Sequence, residues 1–165
     1  MRHYWPSIAA GILCLAFTMT SHASTRIALV IGNSAYKDIP LGNPVNDAED
    51  IANKLEGFGF NVTLVHNADQ RQMKEAIRRF TRALTGDDKV GLFYYAGHGV
   101  EINGQNYLIP LNADIQVEDD VEFEAVNAGR LLTGMDSARN DLNMVVLDAC
   151  RNNPFKRSFR VSAKL

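Results

Sequence analysis

Cysteine is nearly missing. The 165-residue chain holds two, Cys14 and Cys150, too few for a disulfide-framed scaffold or a thiolate zinc site. No CxxC or HExxH spacing occurs, so no metal site is expected. Positive charge is not in excess either: 17 Lys+Arg stand against 19 Asp+Glu, a formal net charge of -2. Such a balance cannot neutralise a phosphate backbone, and nucleic acid is excluded as the expected partner. Phosphate-cradling glycine loops are absent as well. There is no GxxxxGK[ST], and Ile102 stands where a dinucleotide fingerprint begun at Gly97-His98-Gly99 needs its third glycine. No apolar run reaches the roughly 20 residues of a comfortable membrane span. What is present is 46% hydrophobic and 22% charged, the make-up of one globular domain large enough for a core of its own.

The first residues form a separate compositional zone. Arg2 and His3 precede the short apolar run from Ile8 to Phe17, and Ser21-His22-Ala23 places small residues at the -3 and -1 positions of a cut after Ala23. Residues 1–23 therefore read as a secretory signal peptide, with an uncleaved membrane anchor as the alternative. The segment before Cys14 lacks the small residue of a lipoprotein signal. The expected product starts near Ser24, is exported to a periplasmic or extracellular location, and has no membrane span after cleavage. Removal of the signal leaves Cys150 alone, so the exported domain has no internal disulfide.

Strands and helices alternate along the rest. Arg26 to Gly32 is a continuous β-prone run, as expected of a strand buried on both faces of a parallel sheet. After Pro44, the residues Val45, Ala48, Ile51, Ala52 and Leu55 recur at helical spacing until Gly57 and Gly59. Asn61 to Val65 supplies a second strand. Asp69 is placed to cap a helix with Met73, Ala76, Ile77, Phe80 and Leu84 on one face and Arg71, Lys74, Arg78 and Arg82 towards solvent. Val90 to Gly97 is a third strand, and Asn103-Gly104 marks a hairpin that ends before Pro110. A helix from about Ala125 to Met135 leads into a fourth buried strand, Asn143 to Cys150. The alternation implies an α/β fold with a doubly wound, mostly parallel sheet flanked by helices. Ligands of such sheets meet the carboxyl ends of the strands.

The reactive-looking side chains fall at those ends: His98 directly after the third strand and Cys150 at the end of the fourth, 52 residues apart. A thiol with a pKa of about 8.5 is a weak nucleophile until an imidazole favours the thiolate and returns a proton to the leaving amine. The glycines flanking His98 let the backbone approach a substrate, and the amides of Gly99 and Cys150 are the candidates for an oxyanion hole. Taken singly, a loop histidine and a small core cysteine need no chemistry; their joint placement points to a nucleophile and its base.

Tyr94-Tyr95-Ala96-Gly97-His98-Gly99 and, further on, Asp148-Ala149-Cys150-Arg151-Asn152 resemble the caspase-like cysteine peptidases, the clan of caspases, metacaspases and bacterial homologues. Arg26 to Asn33 and Leu41 to Ala48 resemble the start of their catalytic domain. The resemblance implies a caspase-like domain over residues 24–157, with Cys150 as nucleophile, His98 as general acid/base and the Gly99 backbone in the oxyanion hole. In the metacaspase branch, acidic residues at the positions of Asp47 and Asp148 line a pocket for Arg or Lys, which implies cleavage after basic residues. Glu118-Asp119-Asp120 is the one run that could attract the calcium some metacaspases require, and it reads first as a solvated loop. The family places further strands and helices after this region, equivalent to the caspase small subunit. Residues 158–165 form only a short tail, which implies a truncated domain that is weak alone, a complementing small-subunit-like chain, or a non-catalytic module on the same fold. The expected partner is a protein or peptide substrate.

Overall fold

The computed structural model describes residues 24–150. The expectations for the leader, for Arg151-Asn152 and for the tail lie outside them. Among the described residues the chain forms six strands and four helices, α3 and β5 beyond those expected: β1 (Thr25–Gly32), α1 (Pro44–Gly57), β2 (Phe60–His66), α2 (Gln70–Ala83), β3 (Lys89–Ile102), β4 (Gln105–Leu108), α3 (Asp120–Glu124), β5 (Val126–Asn127), α4 (Ala128–Ser137) and β6 (Leu142–Cys150).

β1 pairs parallel with β2 on one side and with β3 on the other, and β6 adds in parallel to the far side of β3. The far end of β3 turns through Asn103-Gly104 into the antiparallel β4, which in turn pairs with β5. The fold is thus α/β with a mixed, mostly parallel sheet. Each face has its own core. Ala28, Val30, Tyr94 and Ala96 pack against Ala48, Ala52 and Leu55 of α1. Leu29, Ile31, Phe93 and Tyr95 pack against Met73 and Phe80 of α2 and Leu131 and Met135 of α4. Strands apolar on both faces are therefore sandwiched between helices, and each fully buried large side chain contributes roughly 1.5–3 kcal/mol. Gly32 permits the tight entry into α1, since a Cβ there would stand 2.5 Å from the Pro44 carbonyl oxygen and 2.7 Å from the Ala48 Cβ. Asp69 caps α2 as expected, accepting from the Gln72 amide while Gln72 caps in return.

Three local expectations are corrected. β3 does not stop at Gly97: Gly99–Ile102 pair with β4, so His98 lies inside a continuous strand. The helix expected from Ala125 begins at Ala128, because Val126 pairs with Leu108 and the Asn127 side chain caps α4 by accepting from the Gly129 amide at 2.7 Å. β6 is not buried on both faces. Among the described residues it pairs on its β3 side only, and Leu142, Val146 and Leu147 are exposed.

The loop from β1 to α1 is tied down along its length. The buried Asn33 side chain accepts from the Ala68 amide at 2.8 Å, and Asn67 Oδ1 accepts from the amides of Ser34 and Ala35 at 2.9 and 3.0 Å. The Leu41 amide donates to the Ser34 carbonyl at 3.0 Å. The stretch Tyr36–Ile39 is thereby held over the end of β3.

Candidate active site

β1's pairing with β3 ends at Gly32–Ala96, whereas β6 continues along β3 until His98 and Cys150 are register partners. The two backbones are one strand spacing apart, about 4.8 Å, at the carboxyl end of the parallel sheet. Residues 52 apart in sequence are thus brought together by strand register. The switch of β3 from parallel to antiparallel pairing explains why the histidine is in a strand and still at the carboxyl end of the parallel sheet.

His98 is buried, with 9% of its surface exposed. Its Nε2 lies 2.7 Å from the Ile39 carbonyl oxygen. A carbonyl only accepts, so Nε2 carries a proton, and in the neutral ring the lone pair is on Nδ1. The Tyr36 ring lies against the imidazole, centroids 4.5 Å apart and planes tilted by 54°. Sequence reasoning missed Ile39, which acts through its backbone and has no side-chain signature, and it assigned no role to Tyr36. The proximity of the Tyr36 segment to the first motif was the only available signal.

The amide of Gly99 has a definite direction. The Ile109 amide donates to the His98 carbonyl at 2.9 Å, so that carbonyl faces β4. Across the trans peptide the Gly99 N–H points the opposite way, towards the β6 side. Gly97 has a steric reason of its own. A Cβ there would stand 2.6 Å from the Tyr95 hydroxyl and 2.7 Å from the Tyr36 hydroxyl, so the glycine makes room for two phenols.

Asp47 and Asp148 converge on one side chain. Tyr94, buried on the α1 face, donates its hydroxyl to Asp148 Oδ2 at 3.2 Å. Its pKa is pushed up to about 12 by burial first, then by the Asp148 charge and hydrogen bond, and further by the Asp47 charge. Both carboxylates therefore act on the same phenol, one from the first turn of α1 and one from β6. Among the described residues neither is in an ion pair with a cation, so the pair forms a negative edge beside the His98–Cys150 register.

A cleft of about 470 Å³ opens next to His98, lined by Tyr36, Lys37, Asp38 and Ile39 on one side and by Ile109, Pro110, Asn112, Ala113, Asp114 and Gln116 on the other. A larger hollow of about 880 Å³ lies away from it, between α2 and α4, and contains none of the candidate residues. Among the described residues no group of His, Cys, Asp and Glu is arranged to hold a metal ion. In the acidic run, Asp120 Oδ2 accepts from the amides of Gln116 and Val117 at 2.8 and 2.9 Å and braces its own loop.

Comparison with known proteins defines the class. The caspase domain family model matches residues 25–164, and the chain belongs to that family. It is 31% identical over 132 residues, 78% of this chain, to the human mucosa-associated lymphoid tissue lymphoma translocation protein 1, and the same figures hold for the mouse homologue. The chain spans about 15% of the length of these relatives. Among solved structures, protein GSU0716 from Geobacter sulfurreducens superposes with a TM-score of 0.57 at 22% identity, covering 76% of this chain and 50% of that one, a likeness of fold.

Proposed function

We propose that the protein is a cysteine endopeptidase that cleaves after Arg or Lys through a Cys150–His98 dyad. The observation that carries this is the β3–β6 register, which pairs His98 with Cys150 at the end of the sheet. Nδ1 of His98 takes the Cys150 thiol proton, and the thiolate attacks the scissile carbonyl carbon. The tetrahedral oxyanion forms against the amides of Gly99 and Cys150, each worth about 3 kcal/mol of transition-state stabilisation. His98 then protonates the leaving amine, and the thioester that remains is hydrolysed by water with His98 as base. The dyad needs no cofactor.

The negative edge of Asp47 and Asp148 supports the specificity. A guanidinium or ammonium is attracted there and an aspartate repelled. Residues 24–157 form the catalytic domain in this reading, and residues 1–23 direct its export. Among the described residues β6 has no strand on its outer side, and Val146 and Leu147 are exposed, which supports a second part of the account: a complementing small-subunit-like chain adds there.

The test is hydrolysis of Arg-, Lys- and Asp-terminated fluorogenic peptides by the full chain, with Cys150→Ala as control. Cleavage after Arg and Lys that vanishes in Cys150→Ala is expected. Cleavage after Asp alone would remove the roles of Asp47 and Asp148, and activity that survives in Cys150→Ala would remove the dyad.

A further inference from the structure

Two tyrosine hydroxyls meet beneath His98, neither of them part of the dyad chemistry. The Tyr36 and Tyr95 oxygens are 3.1 Å apart. The His98 amide donates to the Tyr36 hydroxyl at 3.1 Å, and that hydroxyl donates to the Ile109 carbonyl at 2.9 Å. The Tyr95 hydroxyl is within 2.8 Å of the His98 carbonyl and 2.9 Å of the Ile109 carbonyl. Each phenol has one proton. Every group is satisfied when Tyr36 gives its proton to Ile109 and Tyr95 gives its own to His98. Both main-chain groups of the histidine are then held by a phenol.

Tyr36 also belongs to the loop whose Ile39 carbonyl fixes the imidazole, and its ring lies against that imidazole. Its hydroxyl ties this loop to β3 at His98 and to the chain after β4 at Ile109. The loop, the ring and the strand thus share one anchor. Tyr95 differs, since the His98 carbonyl retains the Ile109 amide at 2.9 Å without it. Burial raises the pKa of both phenols, so both stay protonated and able to donate across the working pH range.

We propose that Tyr36 is the positioning residue of the site: its hydroxyl locks the Ile39-bearing loop to His98 and so fixes which imidazole nitrogen is left to act as base. The idea rests on the dyad reading above. It also makes a claim about His98 that holds whether or not peptides are cleaved.

The experiment compares wild type, Tyr36→Phe and Tyr95→Phe in the full chain, reading kcat and KM on an Arg-terminated fluorogenic peptide, thermal midpoint, and the nitrogen NMR signal of the His98 Nε2–H. Tyr36→Phe keeps the ring and is expected to lower kcat roughly 10- to 100-fold with KM unchanged, and to lose the protected Nε2–H signal to exchange with water. Tyr95→Phe, which empties a more deeply buried bond, lowers the thermal midpoint more and kcat less. The opposite ordering of activity and stability separates positioning from simple destabilisation. A Tyr36→Phe protein with wild-type kcat and an intact Nε2–H signal would overturn the proposal, as would losses of kcat that merely follow the thermal midpoints. Were the wild type to cleave nothing, the dyad reading would fail, and the NMR signal would still decide the role of Tyr36: persistence in Tyr36→Phe sinks it, loss supports it.

Discussion

Tyr94 links the site's charge to the core. Its phenol is packed on the α1 face and donates to Asp148, and removal of the hydroxyl leaves that carboxylate without a donor from β3. Tyr94→Phe is expected to weaken discrimination for Arg over an uncharged residue by about 1 kcal/mol in kcat/KM, measured on a matched peptide pair. The same phenol predicts an alkaline limit to stability. It ionises near 10 in an unfolded chain and at about 12 in the fold, so the unfolded state loses its proton first. Stability is complete below about pH 10 and falls as the pH rises towards 12, with Tyr36 and Tyr95 adding in the same direction. Urea midpoints across that range should fall less steeply in Tyr94→Phe than in wild type. Gly97 is equally constrained: Gly97→Ala drives a methyl into the two phenols and should cost roughly 1–3 kcal/mol in chemical denaturation.

At the scale of elements, what the sequence made legible were long apolar periodicities and helix signals. β1, buried on both faces, α1 between Pro44 and Gly57, and the capped α2 all follow from residues that leave little choice. The failures came where pairing overrode local pattern. Ala125 and Val126 look like the start of a helical face and are instead drawn off by β5 pairing with β4. His98 looks terminal because glycines flank it, yet β4 prolongs its strand. Cys150 and His98 could be named from motif and spacing, while the Ile39 carbonyl depends on a loop path that no side chain announces. Asn33 sets that path. Its buried amide joins β1 to the Ala68 segment, so Asn33→Ala should destabilise the protein by roughly 1–3 kcal/mol and lower activity beyond the stability loss. Denaturant titration and peptide hydrolysis on the same sample measure the two effects.

For the whole molecule, the parallel sheet brings the candidate groups to one end, and among the described residues β6 has no strand on its outer side. If a second chain adds there, a lysine on that surface should block it. Val146→Lys is expected to leave folding intact and to abolish any rise in specific activity with protein concentration or with an added partner, read by hydrolysis alongside light scattering. The central claim is that Cys150, activated by His98, is a nucleophile in a site selective for basic residues. Its most direct measurement is covalent capture: the full chain is treated with acyloxymethyl ketone peptides ending in Arg or in Asp, and the adduct is located by mass spectrometry. The account predicts one adduct, on Cys150, from the Arg reagent, lost in His98→Ala. Labelling by the Asp reagent alone, or equal labelling of Cys150 in His98→Ala, would contradict it.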